Sequence, residues 1–483
     1  MPLGQLLIDR NVIDPSQLEQ AREHQKVAGG SLVESVLVLG FASAVEVAGI
    51  LEDVPVTPES IDDCGLDEQF LLGFVLKAMY VEGLETTLAL AQRLALSPFI
   101  VNAVMDSAKE LRLVEVLGLV ETRRSVYRYS LTGEGRDRAN DALERCSYLG
   151  PAPVPIEVYR EQVVKQTASR DRLDRACIER SFAHLVLDDG MLERLGPAAN
   201  SGASVLLYGA PGNGKTSFAE ALGQGFAVPI FVPYAIFAFG QIIQVFDPSF
   251  HATTESEAAG DADLDPRWVC CRRPIVIAGG ELTMEMLDLR YDGISKTYEA
   301  PMHMKAAGGT FIIDDFGRQR VAPTELLNRW IMPLDRRVDF LTLHTGKKLE
   351  VPFDALVIFS TNFPPAELMD DAALRRIPYK FHVVAPSAAE YREILRRVCE
   401  ARGLPLEAGV TEYLLEIFYP VTELAIARSH PRFIVDHLIE GCRFTGREPG
   451  LEVALVREAA SHLLVESEPP PIPDHLVGAP SAW

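Results

Sequence analysis

The sequence lacks the features that would mark a secreted or membrane-spanning chain. Its seven cysteines form no CxxC pair and show no metal-ligand spacing, so we expect reduced thiols and neither a disulfide framework nor a zinc site. The start MPLGQLLIDR has no basic segment followed by a long apolar run. No apolar stretch elsewhere approaches the ~20 residues that cross a bilayer. We therefore expect a cytoplasmic protein without membrane insertion.

Basic residues are also in short supply. The chain has 46 Lys and Arg against 68 Asp and Glu, which gives a formal net charge of -22. This charge repels nucleic acids and anionic membranes at long range, unless basic residues cluster locally. The default partners are therefore proteins or nucleotides. With 483 residues, 48% of them hydrophobic, the chain is long enough for several folded units.

Two small modules and a proline-rich break are predicted in the first third of the chain. Residues 1–57 hold a weak internal repeat that predicts small helical hairpins. Its apolar positions are Leu3, Leu7, Val12, Leu18 and Ala21, which recur 29 positions later as Leu32, Val36, Phe41, Val47 and Ile50. Residues 65–148 predict three helices and then two alternating strands, which is winged-helix order. Residues 149–172 begin with GPAPVP and predict a stiff linker.

The remaining two thirds predict an α/β unit followed by a helical one. Residues 173–385 alternate strands with helices, which favours a parallel sheet covered by helices on both faces. The predicted strands are Val205–Tyr208, Val228–Pro233, Thr310–Asp314, Ala355–Ser360 and Tyr379–Val384. Residues 386–467 show only helical periods. Residues 468–483 are rich in proline and have little to bury, so we expect a disordered tail.

A phosphate-binding motif follows the first of these strands. It fits G-x-x-x-x-G-K-[ST] and opens a helix, the context in which backbone N–H groups and the helix N-terminus hold phosphate oxygens. Its residues are Gly209, Ala210, Pro211, Gly212, Asn213, Gly214, Lys215 and Thr216. Lys215 would reach the β- and γ-phosphates and Thr216 would ligate magnesium. A chance match in a glycine-rich turn is the competing explanation, and the strand-loop-helix placement disfavours it.

Two carboxylates end a second apolar strand. Thr310-Phe311-Ile312-Ile313 runs into Asp314 and Asp315. Taken alone, Asp-Asp-Phe-Gly is also typical of a turn. Beside the phosphate-binding motif, we interpret Asp314 as a magnesium ligand and Asp315 as the base that orients water.

These motifs, together with Phe359-Ser360-Thr361-Asn362, Arg375-Arg376 and the helical segment, resemble AAA+ ATPases over about residues 173–467. The resemblance implies a P-loop NTPase sheet with a C-terminal helical lid, and MgATP bound between subunits of a ring or arc. It also implies hydrolysis that remodels or regulates a protein partner. By the same resemblance Asn362 positions the attacking water, Arg375 or Arg376 is the finger offered to a neighbouring subunit, and Arg432 senses nucleotide from the lid. Because Asp315 stands where most of the family has glutamate, we expect slow turnover.

Other functions stay open for the flanking segments. Arginines of the predicted wing could contact DNA, which would make the chain a nucleotide-gated DNA-binding regulator with little turnover. They are Arg123, Arg124, Arg128, Arg136 and Arg138. A phosphotransferase is a third hypothesis, and Asn362 and the paired arginines argue against it. Residues 1–57 resemble the N-terminal domain of type II secretion and type IV pilus assembly ATPases, some of which bind cyclic di-GMP. Pro2 replaces the expected arginine, so we favour protein docking over cyclic di-GMP sensing.

Two insertions are predicted inside the α/β unit. One lies near residues 240–300 and contains the acidic segment His251 to Asp265, which we interpret as a mobile loop. The other, Val338 to Phe353, predicts a β-hairpin around His344-Thr345-Gly346-Lys347. It resembles the hairpin that several AAA+ subgroups carry before the strand of Asn362.

Overall fold

The N-terminal helices share a core with distant parts of the chain. The computed structural model describes residues 4, 7–8, 12–28, 32–43, 46–47, 53–120, 123–187, 189–254, 264–465 and 468–476. Helices α1 (Pro15–Ala28) and α2 (Leu32–Val38) carry apolar positions of the predicted repeat. Leu7, Leu18 and Val36 are buried, whereas Leu3 and Ile50 lie outside the described residues. The repeat positions therefore serve burial.

The next segment forms helices followed by a two-stranded antiparallel ribbon, in the predicted order. Asp67 and Ser97 cap two of its helices by accepting backbone N–H groups, and Pro98 occupies a first-turn position. The elements are α3 (Ile61–Cys64), α4 (Glu68–Glu82), α5 (Thr87–Leu94), α6 (Pro98–Glu110), β1 (Val114–Val120), β2 (Arg123–Leu131) and α7 (Gly133–Arg145). The winged-helix interpretation of this order remains a prediction.

The α/β unit is built on a five-stranded parallel sheet. Its strands are β4 (Val205–Tyr208), β9 (Ile275–Ala278), β12 (Thr310–Ile313), β15 (Leu356–Thr361) and β16 (Tyr379–His382). Their spatial order is β16-β4-β15-β12-β9. Side chains alternate between the two faces, so Leu207 packs in one helical layer and Leu206 in the other. The fold is that of a P-loop α/β protein.

Helices cover both faces of this sheet. One layer is α9 (Arg175–Ser181), α10 (Asp189–Asn200) and α11 (Lys215–Gln224). The other contains α12 (Met302–Lys305), α13 (Pro323–Arg329), α14 (Ile331–Arg336), α15 (Pro365–Leu368) and α16 (Asp371–Arg376). Fully buried Trp330 anchors the second layer against Phe311 and Phe359.

One predicted strand belongs elsewhere. β5 (Ile230–Pro233), expected in the parallel sheet, pairs antiparallel with β8 (Trp268–Cys271), and β9 takes the sheet edge beside β12 instead. Both β5 and β9 are short apolar runs with β-branched residues. Such runs predict a strand without indicating which sheet receives it.

The insertion has its own five-stranded sheet. Its strands are β3 (Val154–Pro155), β6 (Ala235–Ala238), β7 (Gln241–Gln244), β10 (Arg290–Asp292) and β11 (Thr297–Glu299). Their spatial order is β10-β11-β7-β6-β3. Residues 149–172, predicted to be a stiff linker, instead form β3 and then α8 (Ile156–Lys165). Pro155 is accommodated since β3 is an edge strand, where a missing N–H costs no ladder bond. The ends of the acidic segment are fixed as well, with His251 and Asp265 buried, while residues 255–263 lie outside the described ones.

The predicted hairpin is confirmed and is packed along its length. β13 (Val338–Thr342) and β14 (Lys348–Pro352) pair antiparallel from Val338–Pro352 to Thr342–Lys348. Leu341 and Leu349 belong to the same core as the insertion strands and the N-terminal helices. The hairpin therefore joins the insertion to β15, which follows it directly.

The lid is helical as predicted. It comprises α17 (Ala388–Ala401), α18 (Ala408–Glu412), a π-helical turn (Tyr413–Phe418), α19 (Tyr419–Thr422), α20 (His430–Thr445) and α21 (Val453–Ser461). The first part of the tail differs from the expectation of disorder. Pro470 accepts hydrogen bonds from Tyr413 and Arg457, and Asp474–Leu476 form a short 3-10 turn. In the described part of the chain, no helix is long and apolar enough to cross a membrane.

Candidate functional site

The loop between β4 and α11 is shaped by glycine. Gly209 has φ +143°, and a Cβ there would lie 2.4 Å from the Val383 carbonyl oxygen. Gly212 has φ +77°, and a Cβ there would lie 2.7 Å from Ser429 Oγ of the lid. These conformations and close approaches exclude larger residues. The loop can therefore turn sharply and open α11 with free backbone N–H groups.

Lys215 is buried at the start of α11 with partners on two sides. Its Nζ donates to the carbonyl oxygens of Gly209 and Ala210, both at 3.0 Å, and to Asn362 Oδ1 at 2.6 Å. Burial lowers the pKa of Lys215, and the carboxylates of Asp314 and Asp315 act in the opposite direction. The ammonium is thus held in the loop, where a phosphate would be its natural counter-ion.

The predicted carboxylates meet the same loop. Thr216 Oγ1 donates to Asp314 Oδ2 at 2.8 Å, and Asn362 Nδ2 donates to Asp315 Oδ1 at 3.0 Å. Asp315 has φ +49°, a left-handed conformation that aspartate tolerates better than most side chains. The hydroxyl and carboxylate oxygens of Thr216 and Asp314 are hard donors of the kind that Mg²⁺ prefers. The residues present therefore fit a magnesium ion.

A cavity of about 810 Å³ opens beside these groups, between the sheet and the lid. Its polar end is the loop with Asp314, Asp315 and Asn362. Its other end is partly apolar and was not predicted from the sequence. That end is lined by Leu185, Val186, Ile394 and Val398, with His184 beside them. A cavity with a phosphate-binding end and an apolar end has the chemistry of a nucleotide site.

The lid contributes three arginines to the cavity: Arg397, Arg428 and Arg432. Only Arg432 was predicted. Its side chain is 75% exposed and pairs with Asp436 at 3.4 Å. Arg428 is more enclosed, pairs with Glu390 at 2.7 Å and donates to the Val186 carbonyl, while its Nε has no partner among the described residues. It lies four positions before Arg432, and no motif distinguished it.

The lid also touches the loop directly. Ser429 N donates to the Gly212 carbonyl at 3.0 Å. Arg428 lies over the ring of Phe218 on α11, 6.0 Å from its centroid. A movement of the lid therefore changes the environment of the phosphate-binding loop.

The structure brings Arg375 and Arg376 together at the end of α16, away from this cavity. Arg376 Nε contacts Asp335 Oδ2 at 3.2 Å, and neither arginine lines the cavity described above. A finger acts on the site of a neighbouring subunit, so their role stays a prediction. Of the other predicted site residues, Pro211 to Thr216, Asp314, Asp315, Asn362 and Arg432 line one cavity, whereas Gly209 and Ala210 do not line it.

Comparison with known proteins adds a short family match and distant structural likenesses. Residues 387–462 match a domain of unknown function, DUF8689. No curated protein matches the chain. The Holliday junction branch migration motor RuvB of Thermotoga maritima is 14% identical, over 58% of this chain and 70% of RuvB, with a TM-score of 0.34. NtrX from Brucella abortus in complex with ADP is 15% identical, over 67% of this chain and 65% of NtrX, with a TM-score of 0.35.

Structural likenesses with TM-scores this low do not establish the fold or the function of this chain. The P-loop α/β fold rests instead on the parallel sheet, on the loop that follows β4 and on the carboxylates that follow β12. The chemistry of the site rests on its own side chains.

Proposed function

We propose that this chain is an AAA+ ATPase, which binds MgATP in the cavity between sheet and lid and hydrolyses it to remodel or regulate a protein partner. One observation carries the proposal. Lys215, Asn362 and Asp315, from three separate segments, form a continuous hydrogen-bonded chain beside the Thr216–Asp314 pair. That arrangement supplies a cation for phosphate, oxygen ligands for magnesium and a carboxylate for water.

In the proposed reaction, Lys215 and the backbone N–H groups of the loop hold the β- and γ-phosphates. Bound magnesium would neutralise phosphate charge, held by Thr216 and Asp314. Asn362 and Asp315 orient a water whose oxygen forms the new bond to the γ-phosphorus while the bond to the ADP oxygen breaks. Asp315 accepts the proton from that water. Aspartate is shorter than glutamate, which supports slow turnover.

We further propose a ring or arc in which Arg375 or Arg376 reaches the neighbouring nucleotide. Neither arginine lines the cavity of its own chain, and Arg375 is exposed in the last turn of α16. A guanidinium stays charged and spreads over developing phosphate charge. A cytoplasmic location is part of this proposal.

The hairpin is the proposed route from the nucleotide to the N-terminal helices. It precedes β15, which carries Asn362 at its end. At its tip, His344 N donates to Tyr298 Oη at 2.9 Å, and along its side Arg160 Nε donates to the Glu350 carbonyl at 3.0 Å. A shift of β15 on nucleotide binding would therefore move a packed core rather than a free loop.

The alternative, a nucleotide-gated DNA-binding regulator, has less support. Arg128 of the ribbon pairs with Glu85 at 2.5 Å, and Arg138, which lies on α7 and not in the ribbon, donates to Gln69 at 2.8 Å. Two of the five arginines therefore already have protein partners. Exposed pairs of this kind are typical of a solvated surface. A protein partner remains the better expectation.

The test is steady-state ATP hydrolysis against protein concentration, for the wild type and for Arg375→Ala combined with Arg376→Ala. We expect turnover per chain to rise with concentration and to be lost in the double variant. Adding an excess of a Lys215→Ala chain, whose arginines are intact, should restore part of that turnover. Tight ATP binding without turnover at any concentration would contradict the proposal and favour the regulator.

A further inference from the structure

A second, smaller cavity lies away from the nucleotide, between the helices α4 and α7 and the turn that joins β6 to β7. Its volume is about 330 Å³. Phe70, Phe74 and Lys77 line it from α4, Ala142 from α7, and Phe237 from β6. We call it the Lys77 cavity. It is enclosed by two different units of the chain, and the proposed ATPase reaction does not use it.

Lys77 is buried in an unusual way for a lysine. The residue is 3% exposed, and its Nζ donates to the Cys146 carbonyl at 2.8 Å. An ammonium group has three donors, and this is the one acceptor that the described residues provide. The Phe74 ring lies 5.1 Å away and adds a weak attraction. Burial lowers the pKa of Lys77 to about 8, so the group is charged at neutral pH, and no carboxylate of the described residues contacts it.

The surroundings favour an anion over a second cation. Arg138 and Arg145 line the same cavity from α7. Asp67 also lines it, but its carboxylate accepts the N–H groups of Gln69 and Phe70 as a helix cap. Asp141 is the remaining acidic lining residue, and it lies on the exposed side of α7. The lining residues from the insertion, which include Phe237, are uncharged.

Aromatic rings form the wall next to this cation. Phe70 and Phe237 lie 4.4 Å apart between ring centroids, and Phe70 and Phe74 lie 5.6 Å apart. Rings arranged in this way present faces and edges to an apolar or aromatic group. A simple inorganic anion would leave that wall unused.

Helix capping is the competing explanation for Lys77. The Cys146 carbonyl is at the C-terminal end of α7, where a positive charge complements the helix dipole. Capping uses a single donor of the ammonium and gives no reason for a cavity beside it. An anion bound in the cavity would use the remaining donors of Lys77 and would also explain why a cavity lies beside them.

We propose that the Lys77 cavity binds a small organic carboxylate with an aromatic or branched apolar body. The carboxylate accepts hydrogen bonds from the two donors of Lys77 that have no acceptor among the described residues, and the apolar body lies against Phe70, Phe74 and Phe237. Because one wall belongs to α4 and the other to the insertion sheet, an occupant braces these two units against each other.

The test uses the full chain and a fluorinated probe, 3-fluorobenzoate, followed by ¹⁹F line broadening and calorimetry. Its neutral counterpart 3-fluorobenzamide reports how much of the binding depends on charge. We expect the benzoate to bind at least tenfold more tightly than the amide. Lys77→Met should weaken binding of the benzoate about tenfold or more, because it removes the charge-assisted hydrogen bonds to the carboxylate.

Two further variants make the result specific. Ala142→Phe should block the cavity and abolish binding. Lys109→Met should leave binding unchanged, because Lys109 is a partly exposed lysine on α6 that pairs with Asp106 of the same helix and does not line the cavity. Thermal melting checks that each variant is folded. If Lys77→Met does not fold, the wild type alone still decides, because affinity for the benzoate but not for the amide should fall as pH rises above 8. Equal affinity for both probes, unchanged binding in Lys77→Met, or no binding of benzoate, phenylacetate or hexanoate at millimolar concentration would overturn the proposal.

Discussion

Two buried lysines in different units of the chain, Lys215 and Lys77, have contrasting surroundings. Lys215, 7% exposed, contacts two carbonyl oxygens and an amide oxygen and has two carboxylates nearby. Lys77, 3% exposed, contacts one carbonyl oxygen. Burial lowers the pKa of both, but the carboxylates oppose the effect only at Lys215.

The contrast shows that the surroundings of a buried ammonium group decide whether its charge is compensated. At Lys215, nearby acids keep the ammonium charged and glycine leaves room for phosphate. At Lys77, the charge is under-compensated, which costs stability unless an anion arrives. One lysine is thus stabilised by the protein itself and the other depends on what enters its cavity.

The largest effect expected from this comparison is on nucleotide binding. Lys215→Met removes the cation from the loop and should weaken ATP binding or turnover at least ~100-fold, as loss of a preorganised electrostatic group does. Lys380→Met is the matched control, because Lys380 is half-buried on β16 and does not line the nucleotide cavity. Titration with a fluorescent ATP analogue and steady-state hydrolysis measure both. Equal losses of ATP binding and turnover in the two variants would contradict a specific role of Lys215.

The second prediction separates binding from chemistry within the same site. Asp315→Asn keeps the size and the left-handed backbone of Asp315 but removes the proton acceptor. Turnover should fall roughly 10²-fold with ATP affinity nearly unchanged. Single-turnover hydrolysis and equilibrium binding give the two values. Full turnover in this variant would assign the base to another residue.

Much of the nucleotide site could be predicted from the sequence because its determinants are local. Eight consecutive residues specify the loop, and the carboxylates and Asn362 follow apolar strands directly. Parallel strands place those ends at one edge of the sheet, so residues about 100 positions apart meet. The apolar end of the cavity was missed, because His184 to Val186 precede the sheet and carry no motif.

The insertion was harder to predict. The apolar pattern of Ile230–Pro233 predicts a strand of the parallel sheet. Its actual partner is Trp268–Cys271, which follows the acidic segment in the sequence. The proline-rich segment near Pro155 predicts a linker. It instead forms the edge strand of a sheet whose other strands lie at least 80 positions later in the sequence. Register between distant segments depends on shared burial, which periodicity alone does not contain. The Lys77 cavity has the same origin, since Lys77 and Phe237 meet only in the folded chain.

Arg428 is intermediate between the two lysines in how fully its donors are paired. Two of its nitrogens have protein acceptors, while its Nε is buried without one among the described residues and borders the cavity. Arg428→Met should weaken ATP binding about tenfold, because it removes a charge-assisted contact to the nucleotide and the contact of Arg428 with Phe218 of α11. Arg432→Met should have a smaller effect because its side chain is 75% exposed. A larger loss of ATP affinity in Arg432→Met than in Arg428→Met would indicate that Arg432 is the arginine that senses nucleotide.

The smallest effect concerns stability against pH, and it isolates Lys77. Its pKa is about 8 in the folded chain and about 10.4 when unfolded, so between these values the unfolded chain holds the extra proton. The wild type should therefore gain stability relative to Lys77→Met as pH rises from 8 towards 10, by at most ~1.4 kcal/mol per pH unit, and the difference should be flat below 8. Urea denaturation of both proteins at pH 7, 8 and 9 measures it, and the ionisation of other groups cancels in the difference. A flat difference across the whole range would mean that Lys77 is solvated or paired in solution, and the contrast with Lys215 would disappear.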